Sequence, residues 1–307
     1  FEVKKSLYSD DLIDSFEKLR QVSQSYSSYI FNGDHQDGKT INLSSAYKVF
    51  SEITGIMAPP YHEREQKLTK EQEMIYITLI IEKLMPVRIT LGYNGFATEF
   101  ALRDKLFNYL EKSLGQNGSG VSGFGINSFP QLIICGTNSL VKINGMPYSH
   151  SSSDGFWNFM CSSSDNPLIF MIELIWSKLE SEFNINMPWG DDLDTEIMHA
   201  YLRAKPHHND IQEGWEYEYI NIPQNILSDQ KAPSEWEPIK VTETQFVIFN
   251  MLGDETNKIS IDDIHFQTFV KNKEDSVENF IKNMISTGYV ALDGSILKLT
   301  TINLQTI

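Results

Sequence analysis

Basic charge is what this chain has least of. Across 307 residues, 25 Lys and Arg face 41 Asp and Glu, a net charge of −16 with a pI near 4.8. That excludes a uniformly basic nucleic-acid footprint, so any phosphate contact needs a local basic patch. Cysteine is scarce. Cys135 and Cys161 stand alone, with no CxxC pair and no disulfide-rich spacing, so a reducing compartment is expected and the assignment is cytoplasmic. Long apolar runs are missing too. Glu82 and Glu173 break the two longest, well short of the roughly 18–20 residues of a membrane span, and no membrane contact is expected. The first residues show no signal-peptide pattern; with Phe at position 1, the start of the native chain stays open. No internal repeat is visible.

What is present is an ordinary globular balance, 41% apolar and 21% charged, with a length that suggests about two domains. The most apolar stretch is Asn166–Phe183. Asn166 suits an N-cap and Pro167 the first helical position. Leu168, Ile172, Ile175, Trp176, Leu179 and Phe183 recur at helical spacing, and Ile169, Phe170, Met171 and Leu174 widen the apolar face. A helix apolar nearly all round belongs in a core. The expected fold is α+β: a helix-rich first domain, residues 1–220, around this buried central helix with a small sheet. A linker at 221–240 carries Pro223, Pro233 and Pro238, and a second domain covers 241–307.

Local signals place the other elements. Ser9–Val22 reads as an amphipathic helix and 21–39 as a loop. Ser44 or Ser45 starts a helix that Gly55 closes. Thr69 and Gln72 form a capping box for a helix ended by Pro86, and another helix runs from Gly95 to Gly115. Gln131–Cys135 reads as a strand. Leu140–Ile143 and Met146–Tyr148 read as a hairpin around Asn144-Gly145. Phe156–Met160 suggests a short aromatic helix, and Asp194–Ala204 one more helix.

In the last fifth of the chain the order is helix from Thr242, helix from Ser260, helix from Asp275, then Thr287-Gly288-Tyr289-Val290, the turn Asp293-Gly294 and a final strand. This order resembles a winged-helix domain. The resemblance implies DNA contact through the third helix and wing, with Lys271, Lys273, Lys282 and Lys298 as the candidate nucleic-acid-binding residues. The module holds five Lys, no Arg and nine carboxylates, a net of −4. Phosphate contacts supply much of DNA affinity, and Arg to guanine is the commonest specific base contact. A docking role toward protein is therefore favoured over DNA.

Other motifs carry less. Gly118–Gly123 matches GxGxxG, but a helix precedes it where a dinucleotide fingerprint needs a strand. Glu196 and His199 make one ExxH, with His207-His208 nearby, and a di-iron centre needs a second copy. Asp191, Asp192, Asp194 and Glu196 read as a solvated acidic turn. The serines around His150 lie in no GxSxG elbow. Glu173, alone among apolar neighbours, needs a partner such as Arg88, Arg103 or Arg203. No catalytic residue, metal ligand or cofactor is assigned.

The helix Glu99–Arg103, the run Phe129–Gly136, the Trp157 segment and Asn166–Leu179 together resemble a bacterial domain of the restriction-endonuclease-like superfamily. That resemblance implies an Asp on one strand and Glu-x-Lys on the next, holding a divalent ion. Here the aspartate position falls near Gln131, and Ile175 stands where Lys would follow Glu173. It also implies association with bacterial anti-phage systems. The expectation is a non-catalytic interaction or adaptor subunit of a nucleic-acid-directed complex, bound to another protein subunit through aromatics such as Trp189, Trp215 and Trp236. The alternatives are a divergent metal-dependent nuclease using Glu99, Glu173 or Asp191–Asp194, and a winged-helix DNA-binding regulator.

Overall fold

The computed structural model describes residues 1–31, 42–114, 124–143, 145–146, 156–163, 167–183, 198–208, 213–223, 241–253, 258–274, 276–287 and 289–300. Helices and a mixed sheet make this an α+β protein. The chain divides into two compact units: 1–41, 80–148 and 157–236 form the first; 42–79, 149–156 and 237–307 form the second. Residues 42–79 fall within the first domain in a simple division at 221–240. In the structure they group with the C-terminal residues.

The first unit is built on seven strands in the order β1 to β7: Glu2–Leu7, Ile89–Gly95, Leu132–Cys135, Asn138–Ile143, Trp157–Ser163, His199–His208 and Glu213–Tyr219. The first three run parallel and the rest antiparallel. Helix α1 (Ser9–Phe31) begins the long connection from β1 to β2, and α5 (Glu99–Leu114) lies between β2 and β3. Every side chain of β3 and β4 is buried, which requires cover on both faces of the sheet. Leu132, Ile134, Val141 and Ile143 pack with Phe170 and Leu174 of α6 (Leu168–Phe183). The alternate residues Ile133 and Leu140 line a small void beside Leu106 of α5. Because successive strand residues face opposite ways, α5 and α6 cover opposite faces.

Several expectations change here. The sheet is large, not small. Helix α1 continues to Phe31, through half of the expected loop. The aromatic segment at 156–160 is strand β5, with Trp157, Phe159 and Cys161 buried at every second position. The helix expected at 194–204 gives way to strand β6 from His199, because β7 lies ready to pair with it residue by residue. Leu140–Ile143 pairs backward with β3 through Gly136, where φ is 61°, and forward with β5. Both edges of β4 are thus paired with other strands, and Asn144, Pro147 and Tyr148 of the expected hairpin are outside the described residues.

The largest correction concerns the apolar helix. Only Phe170 and Leu174 of α6 are buried. Leu168, Ile169, Ile172, Leu179 and Phe183 are exposed, Phe183 by 67%. The sheet meets one narrow side of α6, where Phe170 and Leu174 enter the core and Met171 packs beside them.

The second unit contains α2 (Ser44–Thr54), the short helix α3 (Arg64–Lys67) and the start of α4 (Lys70–Leu84). It then takes the order α7 (Glu243–Gly253), β8 (Ile259–Ser260), α8 (Ile264–Lys271), α9 (Val277–Ser286), β9 (Val290–Asp293) and β10 (Ile296–Leu299). The three strands lie antiparallel in the order β8-β10-β9. Ile248, Leu252, Phe266, Val270, Phe280, Met284, Val290 and Leu297 make its core. Residues 55–57 lie along β9: the Leu292 amide donates to the Gly55 carbonyl and the Met57 amide to the Leu292 carbonyl. The capping box opens α4 reciprocally, with Thr69 N–H to Gln72 Oε1 at 3.0 Å and Gln72 N–H to Thr69 Oγ1 at 3.3 Å.

Candidate functional site

The first unit has two buried charge clusters and one helix anchored by lysines. In the first cluster, Lys142 on β4 donates to Glu82 on α4, and both side chains are shut off from water. The other Glu82 oxygen accepts the Met146 amide at 2.9 Å, and Gly145 lies against Glu82 and the Trp157 indole with no room for a Cβ. Arg88, just before β2, is also buried and donates to the Asn127 carbonyl, while its amide donates to Gln131 Oε1 at 2.9 Å. Burial pulls the Lys142 pKa down to about 8, with Glu82 opposing and Arg88 assisting, and burial pulls Arg88 down to about 10. No sequence motif announced this cluster. The available signal was that Lys142 and Glu82 are each a lone or near-lone charge in an apolar run, which calls for a buried partner.

In the second cluster, Arg103 Nε meets Glu99 Oε1 at 2.6 Å, one turn apart on α5. The same guanidinium donates to the Tyr219 hydroxyl at 3.0 Å and the Ile222 carbonyl at 2.8 Å. Cys161 and the buried Tyr201 border Glu99, whose carboxyl is raised above its ordinary range by burial. The Cys161 thiol is pushed up by burial and then by Glu99; the Cys135 thiol is pushed up by burial. Neither sulfur is held as the thiolate that nucleophilic chemistry requires.

The third feature anchors α6. Lys178 of α6 donates to the Lys83 carbonyl at the end of α4, and Lys83 donates to the Ser181 carbonyl at 2.8 Å at the end of α6. Each lysine satisfies a carbonyl that the other helix leaves open at its C-terminus. Glu182 joins them, 2.9 Å from Lys178 and 3.1 Å from Lys83. The helix is thus fixed in rotation, with Phe170 and Leu174 inward and its apolar side outward.

The residues singled out from sequence are dispersed. Glu173 lies half-buried on helix α6, so it cannot belong to a Glu-x-Lys strand. Arg103 pairs with Glu99 and Arg203 with Glu218 at 2.6 Å, and Arg88 donates to the Asn127 carbonyl. Gln131 is spent on the Arg88 amide. His199, His207 and His208 lie on strand β6; Glu196 and Asp191, Asp192 and Asp194 are outside the described residues. Among the described residues, no three His, Cys, Asp or Glu side chains are grouped as metal ligands. Trp215 packs edge-on against Trp157 at 5.4 Å and is a packing residue; Trp189 and Trp236 are outside the described residues.

In the second unit, Lys271 ends α8, Lys273 follows it, and Lys282 lies on α9; all three are exposed. Lys298 on β10 is tied to Asp293 at 2.6 Å. The exposed side of α9 consists of Glu278, Asn279, Lys282, Asn283 and Ser286.

No protein-family model matches the chain, and no curated protein or solved structure matches it. Among the described residues, no helix is long and apolar enough to cross a membrane.

Proposed function

We propose that this chain is a non-catalytic interaction subunit, an adaptor in a nucleic-acid-directed complex, that docks a partner protein on α6. The observation that carries the reading is the exposure of Leu168, Ile169, Ile172, Leu179 and Phe183 along one helix. Contiguous apolar surface of this kind, held rigid, is characteristic of interaction sites. The engagement of Glu99 by Arg103, of Glu82 by Lys142, and the raised thiols support a structural role for these groups. The second unit is read as a winged helix, supported by its element order and by the strand order β8-β10-β9. Its acidic balance favours a docking role for that module.

The test is affinity capture from the native source with the wild-type chain and with Ile172→Lys. The reading expects a stoichiometric protein partner held by the wild type and lost from the variant. A monomer with no partner overturns it.

A second reading, a DNA-binding regulator, draws on the exposed Lys271, Lys273 and Lys282. It expects duplex binding that falls steeply with salt and weakens in Lys282→Ala. Titration of a fluorescent duplex at low salt, with and without Mg²⁺ and followed by a denaturing gel, reads both binding and cutting. Binding without cutting supports the regulator, and cutting returns the nuclease alternative.

A further inference from the structure

Arg88 is a buried cation that no carboxylate neutralises among the described residues. It is 1% exposed. Its Nη1 donates to the Asn127 carbonyl, while Nε and Nη2 are buried and meet no acceptor among the described residues. The Nε–H and one Nη2–H bond point the same way along one edge of the guanidinium, so a complete two-donor edge is left over.

The backbone fixes its neighbours. The Gln131 amide donates to the Arg88 carbonyl and the Lys142 amide to the Gln131 carbonyl, each at 3.0 Å. Residues opposed in this way on strands about 4.8 Å apart face the same side of a sheet. Arg88, Gln131 and Lys142 therefore form one row, none of them more than 3% exposed. The neutral Gln131 side chain is taken by the Arg88 amide. Glu82 is the carboxylate of this cluster, and its two oxygens are taken by Lys142 and the Met146 amide. Two cations against one carboxylate leave one positive charge over in the core of the first unit. A buried charge without a counter-charge is strongly unfavourable.

We infer that Arg88 holds a small monovalent anion of the halide class, such as chloride, on its Nε–Nη2 edge. The balance of charge selects one negative charge over a sulfate or a phosphate dianion. The burial of the whole row selects a bare ion over an organic acid. A water molecule would accept from the same two donors but leave the charge unmatched, and the test separates these two. The row faces away from α6, whose contacts are with the alternate residues Leu132 and Val141, so this site is separate from the docking surface proposed above.

The full chain is unfolded in urea over chloride concentrations from about 1 to about 300 mM, with sodium gluconate holding the ionic strength constant. An ion bound by the folded state alone shifts the equilibrium by mass action. One site predicts a folding constant that rises about tenfold for each tenfold increase in chloride above the dissociation constant. Bromide is expected to act in the same way. Arg88→Met is expected to lose this dependence. Gln131→Glu, which puts a carboxylate into the row, is expected to lose it as well, since the counter-charge is then built in. In parallel, the chloride NMR signal is expected to broaden with the folded wild type and sharpen in urea. At a net charge of −16 the surface repels anions, so such broadening reports an interior site.

A wild-type folding constant indifferent to chloride overturns the inference and assigns the edge to water. So does a chloride dependence that persists in Arg88→Met. Where Arg88→Met does not fold, a dependence that persists undiminished in Gln131→Glu overturns it, and its loss there supports it.

Discussion

Lys142 of β4 and Glu82 of α4 stand sixty positions apart in sequence and meet as an ion pair sealed from water at both ends. Glu82 also accepts the Met146 amide, so one carboxylate fixes both the strand and the chain that leaves it. Burying two charges is costly, and the attraction between them offsets that cost only when the geometry is complete. The pair therefore acts on position more than on stability: it sets where α4 meets the sheet.

Breaking it should be worse than replacing it. Lys142→Met alone is expected to destabilise the chain by about 3–5 kcal/mol, because Glu82 is left charged and buried. Glu82→Leu with Lys142→Met should regain part of that loss, since the stranded carboxylate is gone. Urea unfolding of the three proteins decides; equal losses in the single and double variants would contradict the account.

Lys142 also predicts a pH dependence. Its pKa is near 8 folded, mainly through burial, and near the ordinary value of about 10.4 unfolded. Between these values the unfolded chain binds more protons, so stability rises with pH from about 8 to about 9.5. Below that window the penalty is fully present. Above about pH 10 the buried Tyr76 and Tyr201, whose pKa values are raised, turn the slope downward. Urea melts at pH 7.5 and 9.5 should show the rise in the wild type and a flatter response in Lys142→Met.

The orientation of α6 is open to a paired substitution. Leu174→Ala should cost about 2–5 kcal/mol, as a core truncation does. Ile172→Ser, two residues away on the exposed side, should change stability by no more than about 0.5 kcal/mol. Similar losses at both positions would mean that Ile172 is buried.

Gly55 and Gly294 separate backbone strain from packing. Both have positive φ, 68° and 61°. A Cβ on Gly55 would stand 2.5 Å from Ile285 Cγ2, whereas Gly294 has open space around it. Gly294→Ala should cost about 1–2 kcal/mol for the left-handed backbone alone. Gly55→Ala should cost more, by about 1–3 kcal/mol of overpacking. Thermal unfolding of the two variants gives the comparison.

The two thiols should be slow to react. Cys135 and Cys161 are buried, with pKa values raised by burial. Labelling by a disulfide reagent at pH 8 is expected to keep pace with unfolding in urea. Fast labelling of either in native buffer would contradict their sealed environment.

The sequence by itself determined what depends on neighbours in the chain. The Thr69–Gln72 box, the stop at Gly55, the strand ending at Cys135 and the turn at Asp293-Gly294 are local hydrogen-bond and backbone preferences, legible within a few residues. It determined that Leu168–Phe183 is a helix, because periodicity is local as well. Only the tertiary structure decided the rest. His199–His208 is a strand because β7 pairs with it through contacts such as Arg203 with Glu218. Residues 55–57 belong with β9 because Leu292, far along the chain, supplies their hydrogen bonds. Which side of α6 is buried was equally beyond local reach. An apolar helix states how much surface it offers, but the sheet opposite decides how much it takes, and here the strands bury Phe170 and Leu174 fully and Met171 in part.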